Sequence, residues 1–388
     1  MKVLGPSDAV TISDDVFRQL FLATSGSPVC PNLQRLTWTS LCGWENMQHF
    51  FSPRLVTVLF RQRQRHQPPT VDLPLASTIS LLPTAHLEEL RLDNASPLTP
   101  PTKSALSEVV QQLNSCFRHV STRSSLTDPA WEHLASLPKL ESFWVYNTPS
   151  TKISSSIPHE LTFPALKSMG VVVDDKCQHW LLLFPLFKSS PLRQITVVAG
   201  RGIGCGDVPG QVTLAMLGSG LQRSVNDLTI TGFDPAHLAF ISHLGPFSYL
   251  RTLECITRCR GSGQCESPLT DPDIEKLASA LPRLVTLCLG HRCEYSPPHT
   301  TIKSMMSLST HCLSLETLYL PCDLSNIAED VKMESGEPDP RLEIRSLCPL
   351  GSLLFQCTVM PPAEDLEASR IAVSALRHLF PRLEPNED

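Results

Sequence analysis

Three stretches of the chain carry residue types able to do chemistry. In CITRCRGSGQCE, Cys255, Cys259 and Cys265 lie close together, and Cys288, His291 and Cys293 follow one repeat later. Thiolates and imidazoles bind zinc when they come in short paired spacings such as C-x-x-C, and a thiol served by a histidine can act as a nucleophile. Neither signature is present. Cys255 falls on an apolar core position and the others read as loop thiols, so the expectation is no metal site and no catalytic residue. A cysteine-dependent or zinc enzyme built on 255–293 is the remote alternative. GRGIGCGD, Gly200 to Asp207, offers glycines through which backbone amides could approach a phosphate. It lacks the dinucleotide spacing and a following Lys-Ser/Thr, and it comes after the strand-like QITVV, where a turn is required. RQRQRH, Arg61 to His66, could touch an acidic partner or serve as a nuclear signal, but its place after a strand signature reads first as a solvated loop. None of these stretches implies a cofactor.

Composition narrows the classes further. The 388 residues are 41% hydrophobic and 18% charged, which gives material for a substantial core and no case for global disorder. A formal charge of −6 leaves no electrostatic footprint for nucleic acid or for an anionic membrane surface. MKVLGPSDAV lacks the basic segment and apolar run of a secretory signal. The longest strongly apolar stretch, Trp180 to Phe187, is broken by Pro185 and is too short to span a bilayer. The 14 cysteines are therefore expected as reduced thiols of a cytoplasmic or nuclear chain.

The elements that must position these residues repeat. The phrase Pro-x-Leu-x-x-Leu-x-Leu recurs as Leu33, Leu36, Trp38; Leu87, Leu90, Leu92; Leu140, Phe143, Val145; Leu166, Met169, Val171; Leu192, Ile195, Val197; Leu250, Leu253, Cys255; Leu284, Leu287, Leu289; and Leu315, Leu318, Leu320. Weaker copies start at Leu55, Phe117 and Val225, and a last one contains Ile344 and Leu347. First positions fall roughly 28 residues apart on average, a leucine-rich-repeat period. In an extended segment alternate side chains share a face, so the second and third apolar positions enter one core while the residue between them points out. Each unit buries half of itself, and stacking closes the core.

The other half of a repeat is written in LTDPDIEKLASALPRL and, 143 residues earlier, in LTDPAWEHLASLPKL. Thr270 or Asp271 can cap a helix, Pro272 suits its first turn, and Ile274, Leu277 and Leu281 recur at helical spacing. Asp128, Pro129, Trp131 and Leu134 do the same, as do Asp234, Pro235, Leu238 and Ile241. The expected fold is an α/β leucine-rich-repeat solenoid of eleven or twelve irregular repeats over 1–388, with a curved parallel sheet on the concave side and helices and loops on the convex side. Residues 1–29 form a partial first repeat, 326–340 a mobile acidic loop, and 361–388 a capping helix and tail.

On such a sheet the outward positions are the functional candidates. Arg91, Asp93, Trp144, Tyr146, Glu254 and Tyr319 are the ones expected to meet a partner, because aromatic and charged residues together have the composition of a protein-binding hot spot. Trp38 and Trp131, by contrast, fall on inward slots. The expected molecule is a monomeric, non-enzymatic protein-binding module with neither nucleic-acid nor membrane partners.

At CPNLQRLTWTS, LASLPKLESFWV and FPALKSMGVVV the chain resembles the leucine-rich-repeat region of F-box proteins from mushroom-forming fungi. The resemblance covers nearly the whole length and implies a substrate-recognition subunit of a cullin-based ubiquitin ligase. Such proteins open with an F-box that begins on a Leu-Pro-x-Glu phrase and docks the ligase adaptor. No such phrase precedes CPNLQRL, so the adaptor is expected as a partner only where an F-box lies upstream. A repeat scaffold with no ligase link is the alternative.

Overall fold

Five strands, those that begin at Arg35, Thr57, Ser142, Ser168 and Thr286, follow a tight turn that proline favours. Pro31, Pro53, Pro138, Pro164 and Pro282 take the second place of four-residue turns, where a φ near −65° is required. These turns close when Leu33, Leu55, Leu140, Leu166 and Leu284 donate their N–H to the carbonyls of Cys30, Ser52, Leu137, Phe163 and Leu281. All five leucines are fully buried.

The computed structural model describes residues 3–4, 14–39, 44–61, 72–93, 98–122, 126–146, 163–173, 178–199, 207–257, 269–291, 298–325 and 352–354, with 370, 374, 376 and 379. The chain divides into two units, Met1–Leu192 and Arg193–Asp388. The first contains β1 (Val3–Leu4), α1 (Asp14–Ala23), β2 (Arg35–Thr39), a 3-10 segment (Glu45–Phe50), β3 (Thr57–Arg61), α2 (Asp72–Ser80) and β4 (Glu89–Asp93). It continues with α3 (Pro100–Gln111), β5 (His119–Thr122), α4 (Asp128–Ser136), β6 (Ser142–Tyr146), β7 (Ser168–Val173) and a 3-10 segment (Gln178–Phe187). The second contains β8 (Gln194–Ala199), α5 (Val208–Gly218), a short 3-10 turn (Leu221–Arg223), β9 (Asp227–Thr231), a 3-10 segment (Pro235–His243) and β10 (Thr252–Thr257). It ends with α6 (Asp271–Ala280), β11 (Thr286–His291), α7 (Ile302–His311), β12 (Thr317–Tyr319) and β13 (Ser352–Leu354).

In each unit the strands pair in chain order, and the pairing is parallel throughout. One carbonyl sets each register. The residue after the first buried apolar position accepts two successive N–H groups from the next repeat: Gln34 from Val56 and Thr57, Glu88 from Arg118 and His119, Arg251 from Val285 and Thr286. The rows follow from this. Leu36, Val58, Leu90, Val120, Phe143 and Met169 are successive partners in the first unit. Ile195, Leu228, Leu253, Leu287, Leu318 and Leu353 are successive partners in the second. Both units are α/β leucine-rich-repeat stacks. From Leu36 to Met169 and from Ile195 to Leu318 these side chains are buried.

The helices cover that same face. Trp131 of α4 meets Phe143 of β6 edge to face, with ring centroids 5.5 Å apart, and Trp44 meets Phe60 of β3 at 5.7 Å. Successive helices α2, α3 and α4 lie side by side, as do α6 and α7. At the start of α6 the Thr-Asp-Pro phrase is a capping device. Asp273 accepts from the N–H and Oγ1 of Thr270, while Asp271 accepts from the N–H (2.7 Å) and Oγ1 (2.8 Å) of Thr301 at the start of α7. One acid thus caps its own helix and its neighbour caps the next.

Three details differ from the sequence expectation. Pro235–His243 is a 3-10 segment instead of an α-helix. β1 adds a strand before β2, and the strand after β12 is Ser352–Leu354, later in the chain than Ile344 and Leu347. The acidic stretch 326–340 lies outside the described residues. Of the expected C-terminal helix, positions 370, 374, 376 and 379 are described and helical, with Leu376 and Leu379 buried.

Truncating one member of a buried row leaves a cavity between two strands. Leu287→Ala is expected to cost about 2–5 kcal/mol in chemical denaturation. Leu313→Ala, at a site that is half exposed, is expected to cost about 0.5 kcal/mol or less.

Candidate functional site

The face turned away from the helices carries the alternate strand residues. In the first unit its central row runs Leu59, Arg91, Ser121, Trp144 and Gly170 as successive register partners. Arg91 and Trp144 are therefore two strands apart on one row, about 10 Å between backbones. Arg91 is already engaged within its own strand, its Nε 2.5 Å from Oε1 of Glu89. Asp93 pairs with Arg61 of β3 at 3.9 Å. The half-buried Trp144 lies across Gly170 of β7, where a Cβ would stand 2.2 Å from the indole. Only glycine permits that approach. The backbone of Tyr146 continues β6 opposite Val172; its side chain lies outside the described residues.

In the second unit the central row runs Thr196, Thr229, Glu254, Cys288 and Tyr319. Thr229 donates its hydroxyl to Oε2 of Glu254 at 3.4 Å. Tyr319 leans over the adjacent strand, so a Cβ on Gly290 would meet its ring at 2.8 Å. Each unit thus places one aromatic side chain over a glycine of a neighbouring strand. Arg91, Asp93, Trp144 and Tyr146 belong to the first unit, and Glu254 and Tyr319 to the second.

Sequence reasoning missed a charge ladder beside the first-unit face. Glu88, Arg118, Glu141 and Lys167 each follow the first buried apolar residue of their repeat, and they alternate in sign. Arg118 reaches Glu88 at 3.6 Å and Glu141 at 3.0 Å, and Lys167 reaches Glu141 at 3.0 Å. The signal was legible as alternating charge at one fixed offset. The hydrogen bond from Lys167 and the charges of Lys167, Arg118 and His119 outweigh partial burial and hold the Glu141 carboxyl below its ordinary range. On the next row, Nδ1 of His119 lies 3.0 Å from Oγ of Ser142. Glu89, opposite His119, is occupied by Arg91.

The cysteine-rich stretch offers no activated thiol among the described residues. Cys255 sits in the core, and burial pushes its thiol well above the usual value. Cys288 faces outward, and burial followed by the charge of Glu254 pushes it up to about 11. A nucleophile needs the opposite shift. Cys259, Cys265 and Cys293 lie outside the described residues, as do Gly200 to Gly206. Asp207, which follows those glycines, accepts from the N–H of Gly210 at 2.9 Å and caps α5.

No protein-family model matches the chain, and no curated protein matches its sequence. Among solved structures, the crystal structure of the Rad7 and Elc1 complex in yeast is similar at 14% identity and a TM-score of 0.40. That alignment covers 95% of this chain and 81% of the other.

Because the Glu141 carboxyl is depressed, its stabilising effect is full above the unfolded carboxylate pKa and disappears as pH falls through the folded value. Glu141→Gln is therefore expected to be less stable than wild type near neutral pH. The gap should close as thermal unfolding is followed down through the carboxylate range, and added salt should narrow it at pH 7.

Proposed function

We propose that the chain is a protein-interaction module that holds its partner on the open sheet face. Arg91, Asp93, Trp144 and Tyr146 would form one contact area, and Glu254 with Tyr319 another. The single observation that supports this most is Trp144, a large aromatic side chain on the outward row with Ser121 beside it and Gly170 beneath. A tryptophan kept at a sheet surface, where a small polar residue would satisfy the fold, has the character of an interface anchor. The role is one of binding without catalysis, in keeping with thiols whose pKa is raised. By its resemblance at CPNLQRL, LASLPKL and FPALKSM, the chain would select substrates for a cullin-based ubiquitin ligase.

Affinity purification of the tagged chain, followed by mass spectrometry, tests both levels. A partner held on this face is expected to be recovered by wild type and lost from Trp144→Ala, in line with a hot-spot cost of about 2 kcal/mol or more. Circular dichroism would establish that the variant is folded. Equal recovery by the two proteins would overturn the assignment of the face. Cullin and its adaptor in the eluate would support the ligase role, and their absence would leave a scaffold outside the ligase system.

A further inference from the structure

The two open faces differ in how their charge is balanced. In the first unit each outward acid has its arginine: Glu89 has Arg91 and Asp93 has Arg61. In the second, the outward positions of β8 to β12 are threonines, small or apolar residues, Gln194, Tyr319 and the two acids Asp227 and Glu254, with no lysine or arginine. Among the described residues neither acid has an ion pair, and Glu254 receives only the long bond from Thr229. The charge of Glu254 is felt across the row, since it helps raise the thiol of Cys288 on the next strand.

Aromatic surface stands beside that charge. Between Glu254 on β10 and Tyr319 on β12, the outward residues of β11 are the small Cys288 and Gly290, and the tyrosine ring rests over Gly290. A carboxylate and an aromatic ring on either side of a low strand suit one kind of side chain, a cation with an apolar stem. A neutral or acidic segment would leave Glu254 and Asp227 uncompensated beneath it.

From this we infer that the open face of β8 to β12 takes a basic segment of a protein partner, with a lysine or arginine head at Glu254 and its stem against Tyr319. The inference rests on the proposal that the open face is the binding surface, and it specifies the chemistry of what binds.

The probe is a fluorescein-labelled octa-arginine peptide, titrated by anisotropy against the full chain, with octa-glutamate as its counterpart. Glu254→Gln and Tyr319→Leu are each expected to weaken octa-arginine binding about two- to fivefold, the worth of one exposed ion pair or cation–π contact. Tyr319→Phe should retain it. Glu275→Gln, on the exposed side of α6, removes the same charge away from the face and should bind as wild type. Equal affinity for Glu254→Gln and Glu275→Gln would overturn the inference, as would binding of octa-glutamate or no binding of octa-arginine. If partners are still lost from Trp144→Ala, such a failure leaves the interaction role standing. If partners are recovered equally by wild type, Trp144→Ala and Glu254→Gln, the assignment of the outward face as the binding surface falls, whatever octa-arginine does, and if wild type recovers none the interaction role itself falls.

Discussion

The structure depends on one carbonyl per repeat. Gln34, Val56, Glu88, Arg118 and Glu141 in the first unit, and Arg193, Asn226, Arg251 and Val285 in the second, each accept two consecutive N–H groups from the following repeat at 2.7–3.0 Å. A strand pairing slipped by one residue would carry every inward side chain to the outer face. Fixing the register just before the strand prevents that slip, and the buried apolar residue one position earlier fixes where the carbonyl sits. Core and outer face are consequences of the same constraint.

Because the strands within each unit run in one direction and in register, chemistry on each unit's outer face is arranged in rows. Residues far apart in sequence become neighbours at the strand spacing, as Glu254, Cys288 and Tyr319 do. The same geometry builds the alternating ladder from Glu88 to Lys167 just before the strands. There, opposite charges one repeat apart meet at the protein surface, where each pair contributes little and the network orders several long side chains together. The outer rows thus divide into charges that satisfy one another and charges left for something else. Arg61 with Asp93 belongs to the first class, and Glu254 to the second.

The repeat was legible in the sequence because the turn, the buried leucine and the alternating strand each leave a residue-level mark at a fixed offset. Cys255 and Trp131 could be placed inward, and Trp144 outward, from that frame alone. What was hidden depends on distance and length. Pro235–His243 follows the aspartate-proline pattern of a helix, yet its repeat, Val225 to Leu250, is among the shorter ones. A 3-10 segment rises about 2 Å per residue against about 1.5 Å for an α-helix, so the same number of residues spans more of the return. The repeats Leu33 to Leu55 and Leu166 to Leu192 make the same choice; Phe117 to Leu140 keeps an α-helix. Gly170 and Gly290 carried no signal by themselves, since their need for a missing Cβ arises from Trp144 and Tyr319 on other strands.

The claim beneath all of this is that neighbouring repeats lay their strands edge to edge in one fixed register, which engineered disulfides measure directly. Thr252 and Thr286 are register partners on the outer face, as are Thr286 and Thr317. The spacing of about 4.8 Å lies within disulfide reach, whereas Thr252 and Thr317 stand about 10 Å apart. With cysteines at 252 and 286, or at 286 and 317, mild oxidation should give a cross-linked peptide by mass spectrometry, and the 252 and 317 pair should give none. Ready cross-linking of 252 to 317, with none between adjacent strands, would contradict the stacked arrangement.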